Sequence, residues 1–158
     1  MEQYPSLETL NNVSEIEIVY RRKVACKVSE RPVVTTSADC YRLFQHYWND
    51  DKIDLLEEFK VLYLNCSNRV LQLFNVAQGG IIGTVADPRL ILAAAVKLAS
   101  VSIILAHNHP SGSLRPSRAD EDLTLKIKEA ARYFDIKVLD RIVLSSEGYF
   151  SFADEGLL

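Results

Sequence analysis

With 158 residues, the chain is long enough to bury one sizeable core without disulfide or metal staples, and its 48% hydrophobic and 25% charged content is ordinary for a globular protein. The formal net charge of −3 offers no general attraction to a phosphate backbone, so charge lends no support to a nucleic-acid partner. No apolar run approaches the ~20 residues of a membrane-spanning helix, so no membrane role of that kind is expected.

The N-terminal stretch MEQYPSLETLNN is polar and acidic, lacks the basic segment and apolar core of a secretory signal, and reads as a loose arm. Cys26, Cys40 and Cys66 form neither a CxxC pair nor a disulfide pattern, which points to a reducing, cytoplasmic setting. SEIEIVYRRKVACKVSE, residues 14 to 30, alternates polar and apolar residues and is predicted to form one or two strands. Its basic residues Arg21, Arg22 and Lys23 read as long cationic side chains guarding an exposed edge, in preference to a nucleic-acid patch. Residues 1–36 are thus an arm and strand region joined to the globule of residues 37–158, in effect a single domain.

SADCYRLFQHYWNDD spaces Tyr41, Leu43, Phe44, Tyr47 and Trp48 as a helix, with Ser37 or Asp39 as N-cap. His46 falls within it as a packed or surface residue, with no other ligand type at a matching spacing. FKVLYLN, a CSN turn and RVLQLFNVA make a hairpin. ADPRLILAAAVKLAS opens with Asp87 as cap and Pro88 at the first helical position, and its apolar face runs Leu90, Ile91, Ala94, Ala95, Leu98. VSIILA is a buried strand that leads directly into His107, SRADEDLTLKIKEAARYF is a strong helix, and KVLDRIVLSSEGYFSF gives two strands around Glu147-Gly148. This order predicts an α/β fold, a three-layer α-β-α sandwich with a mixed sheet, the alternative being a two-layer α+β arrangement.

The chemistry concentrates in ILAHNHPSGSLRPSRAD. An extended backbone points residues i and i+2 the same way, so His107 and His109 converge as the strand reaches the surface. Ser117 and Asp120 match the S-x-x-[DE] capping signature, which puts Asp120 in the first turn of a rigid helix that can aim back at the histidines. Two histidines and a helix-borne carboxylate, with a fourth position left for water, suit a catalytic zinc; the same set suits non-haem Fe(II). A hydrolytic zinc also needs a carboxylate to move protons and a donor for the developing oxyanion. Glu57 and Glu58 precede the buried strand and pattern does not choose between them, while Ser117 is a donor whose hydroxyl is equally suited to the N-cap alone.

His107-Asn108-His109-Pro110 followed by Ser117, Arg118, Ala119 and Asp120 resembles the JAMM motif of MPN-domain metalloproteases. HNHPSG, PSRAD and DLT, with EEFKVLYLN, DPRLIL, ASVSIILA and YFSFADEGLL, look like the RadC branch over roughly residues 57 to 158. The resemblance implies an MPN fold akin to cytidine deaminases, one zinc held by His107, His109, Asp120 and a water, Glu57 (two before Phe59) as general acid/base, and Ser117 supporting the oxyanion. Three departures stand out. Asn108 replaces the Ser or Thr of deubiquitinating members, Arg141 stands where RadC relatives commonly carry His in a Leu-Asp-His run, and residues 1 to about 50 do not resemble the helix-hairpin-helix segment of longer RadC proteins.

The function these features imply is a zinc-dependent hydrolase of JAMM metallopeptidase type with a peptide or protein substrate. The alternative is a RadC-type DNA-transaction accessory without peptidase activity. Oligomeric state is not legible.

Overall fold

The computed structural model describes residues 27–79 and 86–158, and in these the unbroken apolar runs become the middle of one sheet. Its order is β2-β1-β3-β4-β5, built from β1 (Glu58–Leu64), β2 (Val70–Gln78), β3 (Ser102–Asn108), β4 (Lys137–Leu144) and β5 (Tyr149–Ser151). β1 pairs antiparallel with both β2 and β3, β3 runs parallel to β4, and β5 returns antiparallel on β4. The sheet is mixed. β1 and β3 are buried along their whole length, as strands covered on both faces must be.

Strand alternation divides those residues between two cores. Phe59, Val61, Tyr63, Ile103 and Leu105 pack beneath α2 (Pro88–Lys97) and α3 (Arg118–Arg132), against Ile91, Ala95, Ile127 and Ala131. Leu62, Leu64, Ile104, Ala106, Ile142 and Leu144 face the other way, onto Phe44 and Trp48 at the end of α1 (Ser37–Tyr47). The architecture is therefore the three-layer α/β sandwich, with one helix on one face and two on the other.

Local details depart from the sequence reading. The cap of α1 is Thr36 instead of Ser37 or Asp39; Asp39 is its capping-box partner, taking the Thr36 amide at 3.0 Å. Ser37 donates instead to Asp154, at 2.6 Å. Tyr47 is 53% exposed, because the buried stripe of α1 ends on Phe44 and Trp48. On α2, Leu90 is 52% exposed and Leu92 is buried in its place; Asp87 and Pro88 do open that helix. Asp87 donates no proton there but accepts from the Arg89 amide at 2.9 Å.

The strand reading of residues 14 to 30 lies mostly outside the described residues, as does the basic cluster Arg21, Arg22 and Lys23. Its last part, Val28–Glu30, is a 3-10 turn in place of a strand, closed by the Glu30 carboxylate accepting the Lys27 amide at 2.7 Å. Further on, Val33 bridges Arg69 and Val34 is buried, which lays this segment along the sheet beside β2. His46 is exposed, edge-on to Tyr47.

Candidate metal centre

β3 and α3 deliver the polar cluster that the sequence brings into view. His107 lies on the α2/α3 face of β3, paired with Phe59 of β1 on one side and Val143 of β4 on the other, and is fully buried. His109 follows the strand end, where its amide continues the ladder to Leu144 O at 2.9 Å. The chain then turns, with Gly112 at φ 78, a left-handed conformation that a side chain would strain. That turn brings the Ser113 carbonyl to 2.7 Å from His109 Nδ1.

At the start of α3, Ser117 is the N-cap and Asp120 its capping-box partner. Asp120 Oδ2 accepts from the Ser117 amide at 2.8 Å and from its hydroxyl at 2.6 Å. The hydroxyl oxygen in turn accepts from the Asp120 amide at 3.2 Å. The Ser117 proton is thereby committed to Asp120, which leaves the oxyanion assignment to compete with a complete cap.

The cap aims Asp120 at the histidines. His107 Nε2 lies 2.9 Å from His109 Nε2 and 2.9 Å from Asp120 Oδ1, and His109 Nε2 lies 3.6 Å from Asp120 Oδ2. These three side chains form a group of ligand atoms within 4.8 Å of one another, able to hold a metal ion. Ligand bonds of ~2.0–2.1 Å meeting at a tetrahedral centre put neighbouring donors roughly 3.3 Å apart, so the observed separations need only small adjustments. The donor chemistry fits at His109, which gives its Nδ1 proton to Ser113 O and so turns the Nε2 lone pair inward.

The two histidines differ in charge preference. Burial, and then the positive charge of Arg141, push His107 down to about 4. His109 is raised, chiefly by its hydrogen bond to Asp120, with the negative charge of Glu57 contributing. Asp120 sits far below the ordinary carboxylate range; burial opposes this, and the hydrogen bonds from His107 and His109 overcome it.

Strand alternation separates the two glutamates. Glu58 points into the α1 layer, where its carboxylate pairs with Lys60 Nζ at 3.1 Å, and Lys60 in turn lies 4.5 Å from the Trp48 ring. Glu57, one residue earlier, belongs to the opposite face with Phe59. Continuing the Phe59–His107 register sets it level with His109, and its charge acts on both His109 and Arg141. Asn108, between the histidines, points away from them: its Oδ1 accepts the Glu58 amide at 2.7 Å and its Nδ2 donates to Ile53 O and Leu56 O at 2.6 and 2.8 Å.

Arg141 belongs to the site although its sequence position gave it no role. It is 1% exposed, donates to Asp120 Oδ1 at 2.7 Å, faces His107 Nδ1 at 3.1 Å, and donates to Thr124 Oγ1 at 3.1 Å. Phe59 and Phe152 lie 5.0 and 5.9 Å from its guanidinium. An arginine set inside the apolar run of β4 was the available clue, since such a residue is buried only with partners.

Comparison with known proteins agrees with this architecture. The model of the RadC-like JAB domain matches residues 34–157. A UPF0758 protein of Flavobacterium johnsoniae is 39% identical over 137 residues, covering 87% of this chain and 58% of its own length. One from Porphyromonas gingivalis is 40% identical over 139 residues, covering 87% and 60%, and one from Rubrobacter xylanophilus is 34% identical over 147 residues, covering 92% and 62%. The chain thus spans about 60% of the length of these relatives. A mixed sheet between helices, the His107–His109–Asp120 cluster at the end of β3, and a family match across most of the chain lead to one assignment: the protein belongs to the RadC-like JAB domain family.

Proposed function

We propose that the protein is a metal-dependent hydrolase of JAMM metallopeptidase type, holding one zinc ion through His107, His109 and Asp120 and acting on a peptide or isopeptide bond. The observation that carries this reading is the convergence of two imidazole Nε2 atoms and a carboxylate at one point, beside which a second carboxylate, Glu57, makes its charge felt at His109. A zinc ion bound there supplies a Lewis acid and lowers the pKa of its water to about 7.

The protein's own groups divide the remaining work. Glu57 takes the proton of the attacking water and hands it to the leaving nitrogen, the two halves of general acid–base catalysis. His109 is held in its productive tautomer by Ser113 O. Asp120 is fixed by the cap of α3, so its carboxylate needs no reorganisation when substrate arrives. Asn108 anchors the segment before β1 that carries Glu57.

Metal content decides the reading. Protein purified without chelator and measured by elemental analysis is expected to hold, or to take up on titration, one zinc per chain. A stoichiometry near zero after titration would end it.

A further inference from the structure

The hydrogen bonds around Arg141 carry a consequence for the metal. A guanidinium has five donors and no acceptor. With Arg141 Nη2 3.1 Å from His107 Nδ1, that nitrogen accepts, so a neutral His107 carries its proton on Nε2. This is the nitrogen that faces His109 and Asp120. A metal ligand at Nε2 needs the opposite tautomer.

Asp120 is similarly engaged. Its Oδ2 accepts two hydrogen bonds from Ser117, and its Oδ1 faces Arg141 and His107 at 2.7 and 2.9 Å. The two Nη groups of the guanidinium are held by Thr124, Asp120 and His107. The rings of Phe59 and Phe152 flank it, and the side chain is buried, with its Nε left without a hydrogen-bond partner.

We propose that Arg141 is a built-in competitor for the metal: a fixed cation that holds His107, His109 and Asp120 assembled in a metal-free arrangement and sets their zinc affinity low enough for the site to fill and empty. Arg141 is a positioning residue, acting through His107 and Asp120. Occupation of the site requires the guanidinium to release His107 Nδ1, so that the ring can carry its proton on that side. Loss of zinc lets Arg141 close the network again, and the apo protein remains folded. The affinity arm of this inference rests on the metal reading above; the tautomer arm does not.

The tautomer is read directly from nitrogen-15 chemical shifts and couplings of the imidazole rings in metal-free protein near pH 7.5. Wild type is expected to show His107 protonated on Nε2 and His109 on Nδ1. A His107 protonated on Nδ1 would overturn the inference whatever zinc does. Zinc affinity is then measured by competition with a chromophoric chelator for wild type, Arg141→Gln and Arg141→Lys. Gln removes the charge and can accept from His107 Nδ1–H, so tenfold or greater tightening is expected; Lys keeps the charge but cannot bridge both groups, and should fall between.

Affinities within twofold of wild type in both variants would overturn the affinity arm. Uptake by Arg141→Gln alone would support Arg141 as competitor while ending the zinc reading for the wild-type protein. Absence of zinc in all three, with His107 protonated on Nε2, would end the metal reading and leave Arg141 as the group that holds the cluster together.

Discussion

Asn108 accepts the Glu58 backbone amide at 2.7 Å, and through that bond it fixes the start of β1 to the end of β3. The same side chain donates to the Ile53 and Leu56 carbonyls, so one amide group ties down the segment that introduces Glu57. The three letters His-Asn-His thus serve two layers: the odd positions face the His107–His109–Asp120 cluster and the even position staples the loop.

Asn108→Ala is expected to be costly. It strands one buried donor and two carbonyls; at roughly 1–3 kcal/mol for each buried group left unsatisfied, partly relieved by water, the loss is about 3 kcal/mol. At roughly 2–4 °C per kcal/mol for a chain of this size, thermal denaturation would show a drop of about 6–12 °C. Zinc binding by the folded fraction should persist, since no ligand is altered. An unchanged melting temperature would refute the staple.

Glu57→Gln and Glu58→Gln should fail in opposite ways. Glu57→Gln removes the proton carrier, and hydrolysis is expected to fall by about 10²–10⁴, the usual worth of general acid–base catalysis, with metal content unchanged. Glu58→Gln weakens the buried pair with Lys60 and lowers stability, yet folded molecules should keep their activity. Turnover measured beside melting curves and metal analysis separates the two. If Glu58→Gln were the inactive, stable variant, the assignment of the base would be wrong.

The metal-free protein should lose stability on acidification. His107 is about 4 in the folded state, below its ordinary 6.5. Between those values the unfolded chain binds the extra proton, so this contribution is complete above pH 6.5 and is lost as pH falls toward 4. His109 is raised and has the opposite sign: its contribution is complete below 6.5 and is lost as pH rises through its folded value. Urea midpoints across pH 4 to 8 should therefore fall on the acid side in wild type, and the acid-side slope should flatten in His107→Gln. An identical slope in that variant would show that His107 is not the group responsible.

Ser117→Ala should cost about 1 kcal/mol, the typical worth of an N-cap, and should also weaken zinc binding, because Asp120 loses the hydroxyl at 2.6 Å that orients it. Ser117→Thr restores both the cap and the hydroxyl, and recovery of stability and affinity together is expected. Lost turnover with wild-type stability and affinity in the alanine variant would instead favour the oxyanion role.

How much of this was legible in the sequence depends on the range of the interaction concerned. The β1–β2 hairpin, the Asp87-Pro88 opening of α2, and the Ser117–Asp120 box are local patterns, and the fold shows each of them. The approach of His107 and His109 follows from period-two geometry in the same way. The choice between Glu57 and Glu58 was not local: it depends on which face of β1 looks toward α3, and that is set by pairing Phe59 with His107, 48 positions apart. Arg141 was visible as a departure, but its partners Asp120, Thr124 and His107 come from two other elements. The cap of α1 was missed by one residue because Thr36, Ser37 and Asp39 are all capping residue types, and only the backbone conformation selects Thr36.

All three donor side chains come from one strand–loop–helix unit, His107 and His109 at the end of β3 and Asp120 at the beginning of α3. The donor set is therefore a cassette, short in sequence and shaped by its own turn and cap. Adjacent strands supply the two side chains whose charges act on it, Glu57 ahead of β1 and Arg141 within β4. On the proposed reading, variation at those two positions retunes the centre, in proton transfer or in metal retention, without altering a single donor.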